Sequence, residues 1–201
     1  HEGYCIDDNA RALIVSVNLE ELGHAEAFEL ASRYLAFIAY AFNPDSGRFR
    51  NFMSYTRHWT EEAGSEDSHG RALWALGTVV GRSHGPGRQS VSGSLFHRAL
   101  EGVTAFTSPR AWAFALLGID EYLGAFQGDS SVQAVRASLA GRLLGLFRSA
   151  SSSDWPWFED HATYENARLS QALLASGARM DHEEMIAAGI RSLGWLISVQ
   201  R

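Results

Sequence analysis

Four stretches of this chain open with one phrase: Asn9-Ala-Arg-Ala-Leu, His69-Gly-Arg-Ala-Leu, Ser108-Pro-Arg-Ala-Trp and Asn166-Ala-Arg-Leu-Ser. The shared position is an arginine, at Arg11, Arg71, Arg110 and Arg168. Its recurrence every ~40–60 residues is the span of two helices and their connections, the mark of a helical-repeat fold. Around each phrase apolar residues recur at helical spacing, and strand alternation is scarce. Phe28, Ala31, Leu35, Ile38 and Phe42 make one such stripe. The spacing predicts helices over 9–22, 24–42, 68–82, 91–106, 109–126, 131–149, 165–177 and 182–199, with Ser192–Arg201 still helical in character. Gly23, Gly128 and Gly177 mark short turns within hairpins. Residues 43–67 and 150–164 are long connections, with a turn at Asn43-Pro-Asp-Ser-Gly and a short strand or hairpin arm at Phe49–Tyr55. The Gly- and Ser-rich stretch Gly81–Gly93 reads as a surface loop. The expected fold is all-α: one domain over 1–201, with four helical hairpins in a solenoid or a closed ring.

Composition removes several chemistries. The 17 basic residues are all arginine, so neither a Schiff-base lysine nor a phosphate-loop lysine exists. A net charge of −6 argues against nucleic acid or an anionic membrane as partner. No apolar run approaches the ~20 residues of a membrane span. The single cysteine, Cys5, rules out an internal disulfide and a multi-cysteine zinc site. It reads as structural, with no base at an evident position to activate it. No metal and no cofactor are expected. One cysteine and no visible signal sequence fit the cytoplasm, and the first residue, His1, suggests a piece of a longer protein.

The polar residues collect just before the repeated phrase. Asp7-Asp8, Glu66-Asp67-Ser68 and Tyr164-Glu165 stand there. Capping and the helix dipole explain part of this, and a helix needs only one cap. Aromatic residues accompany them: Tyr4 before the first cluster, Phe49, Phe52, Tyr55 and Trp59 before the second, and Trp155, Trp157 and Phe158 before the last. If equivalent helix starts share one end of the fold, these loops converge on a cleft of carboxylates, arginines and exposed rings. Such a cleft suits sugars, whose C–H faces stack on rings while their hydroxyls bond to polar groups. Trp74, Trp112 and Trp195 lie inside helices and read as core. The four repeated arginines read as ties to loop carboxylates rather than as catalysts.

Three blocks carry a family resemblance: Gly-Tyr-Cys-Ile-Asp-Asp-Asn-Ala-Arg-Ala-Leu-Ile over 3–14, Gly-Ser-Glu-Asp-Ser-His-Gly-Arg-Ala-Leu-Trp-Ala-Leu-Gly over 64–77, and Asp-Trp-Pro-Trp-Phe-Glu-Asp over 154–160 with Tyr-Glu-Asn-Ala-Arg-Leu over 164–169. Together they resemble a bacterial group in the six-hairpin glycosidase-like superfamily, whose members stand beside, or fused to, glycosyltransferases. The resemblance spans essentially the whole chain and implies an (α/α) toroid, here with four of six hairpins. It also implies uncovered apolar faces where hairpins are missing. Locally, Asp7-Asp8-Asn9-Ala10 is similar to family 76 glycoside hydrolases, α-mannan-cleaving enzymes with a tandem aspartate as catalytic pair. That similarity implies nucleophile and acid/base roles for Asp7 and Asp8, with Arg11 standing where that family tends to place Trp.

The expected function is cleavage or transfer of a glycosidic bond in an oligo- or polysaccharide by paired carboxylates. Asp7 and Asp8 are the first candidates, with Asp67 and Glu159 as rivals. Tyr4, Asn9, Arg57, Trp59, Glu66, His69, Trp155, Trp157, Asp160 and Asn166 are expected to bind substrate. The alternatives are a non-catalytic glycan-binding module of a glycosyltransferase, a sugar epimerase or isomerase using His69 and His161, and a helical-repeat protein that binds other proteins.

Overall fold

A computed structural model describes residues 3–200. Eight α-helices dominate it: α1 (Ile6–Glu21), α2 (Ala27–Ala41), α3 (Glu66–Arg82), α4 (Pro86–Leu100), α5 (Pro109–Ala125), α6 (Ser130–Ala150), α7 (Asn166–Arg179) and α8 (Glu183–Val199). Four two-residue strands and one 3-10 turn, Val103–Ala105, complete the described elements. The fold is all-α. Residues Asn166 and Glu183 begin the last two helices close to where the apolar period places them. Arg201, part of the stretch expected to be helical, lies outside the described residues.

Ion pairs and close backbone contacts give the helix directions. Arg71 meets Asp7 near the starts of α3 and α1, and Arg82 lies 3.7 Å from Glu21 near their ends, so the two helices run parallel. Gly70 lies against Ala111, Gly77 against Gly118 and Gly81 against Glu121, advancing together along both helices, so α3 and α5 are parallel as well. Arg110 bonds to Asn166 at 3.3 Å and Arg179 to Asp120 at 2.9 Å, which aligns α7 with α5. The first helices of the four hairpins thus form a parallel row, α1–α3–α5–α7, and each second helix packs back on its own partner. Buried Leu13, Leu73, Leu76, Leu116, Ile119, Leu169 and Leu173 fill the row.

Backbone approach is tightest between α3 and α5. A methyl group at Gly77 would overlap the Gly118 carbonyl, and one at Gly118 would meet Leu73 and Trp74 backbone atoms. Glycine stands at these two positions because a Cβ would force the helices apart.

Helix starts follow the sequence signals in some places and not in others. Ser65, Ser108 and Asp129 cap α3, α5 and α6 by accepting from the N–H three residues on. Pro109 sits in the first turn of α5, where its missing N–H costs nothing. The cap of α1 is Cys5, with no side-chain bond, and Asp7 and Asp8 lie inside the first turn. Ser68 likewise lies inside α3 rather than capping it. These acidic residues complement the helix dipole instead of capping.

Three element expectations need correction. Gly81–Gly93 is not one loop: α4 starts at Pro86, because proline pre-sets the first turn, and its glycines ride on a helix whose buried face is Ser92, Leu95, Phe96, Ala99 and Leu100. Gly177 lies within α7, pressed against Met185 and Ile186, and the turn follows at Asp181, which takes φ +50°. Phe28 is exposed, and Ala27, Ala31, Leu35, Ile38 and Ala41 form the buried stripe of α2. In the long 43–67 connection, Phe42–Asn43 pairs with Arg48–Phe49, and Phe52–Met53 pairs with Tyr4–Cys5. That second pairing holds the start of α1 against the loop ahead of α3.

Candidate functional site

A parallel row brings the starts of α1, α3, α5 and α7 to one end of the molecule. The polar residues before the repeated phrase therefore meet there. At the centre is Arg71, 2% exposed, with its guanidinium carbon 4.1 Å above the Phe114 ring. Its Nε donates to Asp7 and its Nη1 to Glu165 Oε1 at 3.0 Å. Arg11 Nη2 lies 2.9 Å from Asp7 and 3.9 Å from Glu165. Arg168 Nε donates to the other Glu165 oxygen at 3.3 Å, and its guanidinium lies 4.7 Å over Trp74. Three arginines from three helices thus surround two carboxylates. Sharing Arg11 Nη2 sets an upper limit of about 7 Å on the separation of an Asp7 and a Glu165 oxygen, a limit that overlaps known glycosidase carboxyl spacings.

Glu165 has unusual backbone geometry for its position. It is the N-cap of α7 in the left-handed region (φ +50°), and its side chain caps nothing. That conformation costs a non-glycine residue roughly 1 kcal/mol or more. The carboxylate turns to the arginines instead. Burial pushes its pKa up, but the bond and charge of Arg71, with Arg168, outweigh burial and hold it below the usual glutamate value.

A second group adjoins the first. Arg110, also buried, donates to Glu159 Oε1 at 2.9 Å, to the Tyr164 carbonyl at 2.7 Å and to Asn166 at 3.3 Å. Asp67 accepts from the Ser108 and Tyr164 hydroxyls. Glu66 accepts the Thr107 and Ser108 N–H groups at 2.8 and 2.7 Å. The 151–165 connection is therefore bonded across the starts of α3 and α5.

Asp7, Asp67, Glu159, Glu66 and Asn166 belong to this linked assembly. Asp8 stands at its rim, 76% exposed and 3.4 Å from Arg11. Asn9 is used locally, donating to the Cys5 carbonyl at 2.7 Å. Tyr4 and Trp59 belong to an aromatic patch with Tyr55, Phe37 and Tyr40, with ring centroids 5.5–6.3 Å apart. Arg57 is exposed in a turn at φ +64°, and Asp160 is exposed beside His161.

Two expected substrate contacts, His69 and Trp157, are corrected by burial, and a third, Trp155, is engaged in packing. His69 is fully buried between Phe49 and Phe106, accepting the Phe49 N–H at Nδ1 and bonded through Nε2 to the Ala99 carbonyl at 2.8 Å. Burial pushes its pKa down to about 4, so the ring is a neutral core group. Trp157 is fully buried and packs on Phe158 and Trp195. Trp155 is half-buried on Trp195, and its indole N–H donates to the Glu159 carbonyl at 2.7 Å. The two tryptophans anchor the loop to α8 rather than forming a sugar platform.

The residues that sequence reasoning leaves out of the site are Glu165, Tyr164, Arg11, Arg71, Arg110 and Arg168. Their signal is present in the arginine of the repeated phrase, read there as a structural tie. Among the described residues no group of three His, Cys, Asp or Glu gathers as a metal would require, and no helix is long and apolar enough to cross a membrane. Comparison with known protein families, curated proteins and solved structures finds no match for this chain.

Proposed function

We propose that the chain is a carbohydrate-active domain built on an (α/α) toroid, contributing four of its six hairpins, and that the helix-start end binds an oligo- or polysaccharide. The observation that carries this reading is the gathering of Asp7, Glu165, Asp67 and Glu159 with Arg11, Arg71, Arg110 and Arg168 at that end. Carboxylates and guanidinium groups locked to one another offer fixed acceptors and donors to sugar hydroxyls. The Tyr4–Tyr55–Trp59 patch offers ring faces to the sugar C–H surface.

Glycan binding is the better-supported activity, because most of these carboxylates are already committed to an arginine or a hydroxyl. Asp8 favours the second reading, glycosidic cleavage or transfer. It is an exposed carboxylate next to an arginine-held one, the division of roles expected of an acid/base and a nucleophile. The epimerase reading loses one of its two histidines, since His69 is core and only His161 is exposed. An attached or associated glycosyltransferase is the partner this function implies.

The test is an oligosaccharide array followed by calorimetry and turnover assays on wild type, Asp8→Asn and Trp59→Ala. Binding lost in Trp59→Ala, without turnover in wild type, supports a binding module. Turnover lost in Asp8→Asn with binding kept supports the enzyme. A wild-type chain that binds no glycan overturns both.

A further inference from the structure

At the far end of the helices, away from the carboxylate–arginine assembly, Leu123, Gln127, Gln133, Arg136 and Arg179 line a cavity of about 270 Å³. Arg136, on α6, is half-buried there. Among the described residues its guanidinium has no hydrogen bond and no ion pair, and its Nε is covered by protein. The buried arginines Arg71, Arg88 and Arg110 each hold a carboxylate, whereas Arg136 holds none. Leaving one guanidinium N–H, here the Arg136 Nε, unpaired away from water is costly.

Charge adds a second argument. Arg179 stands beside Arg136 and repels it, and Asp120, the carboxylate facing both, is bonded to Arg179 at 2.9 Å. One positive charge is left over in a concave site. The Gln133 amide donates to the Gln127 carbonyl at 2.6 Å, which fixes it at the rim.

We propose that this cavity binds a phosphate-class oxyanion, with Arg136 as its anchor and Arg179 and the glutamine amides as further donors. A guanidinium fork matches the spacing of phosphate oxygens. The shared chemistry is a phosphate group, either free or as the monoester of a sugar. This inference is independent of the glycan-binding end.

Titration with inorganic phosphate at constant ionic strength, followed by calorimetry, tests it. Saturable binding is expected in wild type, at least tenfold weaker in Arg136→Gln and partly restored in Arg136→Lys. A hexose phosphate that binds more tightly than inorganic phosphate identifies a sugar monoester as the ligand, and equal affinity identifies the free ion. The proposal is overturned if wild type shows no saturable binding of either probe, or if Arg136→Gln, shown folded by circular dichroism, binds as wild type does. It is overturned equally if sodium chloride reproduces the response.

Discussion

Arg71 Nη1 bonds to Glu165 Oε1 at 3.0 Å across 94 residues of chain, while its Nε holds Asp7. One buried cation therefore ties α1 and the start of α7 to α3. Removing it leaves two carboxylates facing each other with only half-exposed Arg11 and Arg168 to offset them. Arg71→Met is expected to destabilise the fold by about 3 kcal/mol, the low end of the range for breaking a buried pair. Arg11→Met, at the exposed side of the same assembly, is expected to cost less than about 1 kcal/mol. Urea denaturation compares the two, and equal losses would contradict the central position of Arg71.

His69 sets a pH dependence. Its folded pKa is about 4 against 6.5 for the free side chain, so the unfolded chain takes up a proton first as pH falls. Stability from this group is full above about pH 6.5 and is lost as pH drops toward about 4. His69→Gln is expected to flatten the stability profile over that window. An unchanged slope in the variant would place the titration elsewhere.

At the acid end of that window Glu165 adds its own loss. Its folded pKa lies under the ordinary glutamate value, so its stabilisation is present above about pH 4.5 and is lost as pH falls through the folded value. Glu165→Gln is expected to remove part of the acid-side loss in a urea series run from pH 5 to about pH 3.

The glycines divide into two kinds. Gly77→Ala drives a methyl into the Gly118 backbone and is expected to cost several kcal/mol or to prevent folding. Gly145→Ala, on α6 with open space around it, is expected to stabilise by about 0.5–1 kcal/mol through helix propensity. Thermal denaturation of both variants checks the assignment, and a harmless Gly77→Ala would contradict the close α3–α5 approach.

Arg110 holds the 151–165 connection through Glu159, the Tyr164 carbonyl and Asn166. Arg110→Gln is expected to make that connection the first point of cleavage in limited proteolysis, with the helices intact by circular dichroism. The same fragments at the same rate in wild type would show that Trp155 and Trp157 secure the loop unaided.

The helices were legible because apolar period and turn residues agree along most of the chain, from Asn9 to Leu22 as from Ser131 to Ser149. Where they disagree, the stronger physical term wins: in α4, the proline start and the buried Leu95–Phe96–Ala99 face outweigh the flexibility of Gly87 and Gly93. The site was half legible. Asp7 and Asp67 stand out as polar residues beside a repeated phrase and Glu159 as a carboxylate beside two tryptophans, and their meeting depends on a parallel row that no local spacing encodes. Burial was the least legible property. His69 and Trp157 have the chemistry of a sugar site, and only the packing of Phe49, Phe106 and Trp195 around them removes them from it. Arg71 shows the converse, a charged residue sealed in the core because two carboxylates come with it.

The glycine seam between α3 and α5 divides the molecule mechanically. With backbone against backbone, neither helix can slide or roll without atoms colliding, so these two act as a keel. The flanks are fastened differently: α1 and α7 reach the keel partly through ion pairs, buried at Arg71 and exposed at Arg82–Glu21 and Arg179–Asp120. Movement of the flanks would therefore hinge on a rigid middle, and high ionic strength would loosen the far ends, at Arg82–Glu21 and Arg179–Asp120, before the helix-start end held by Arg71.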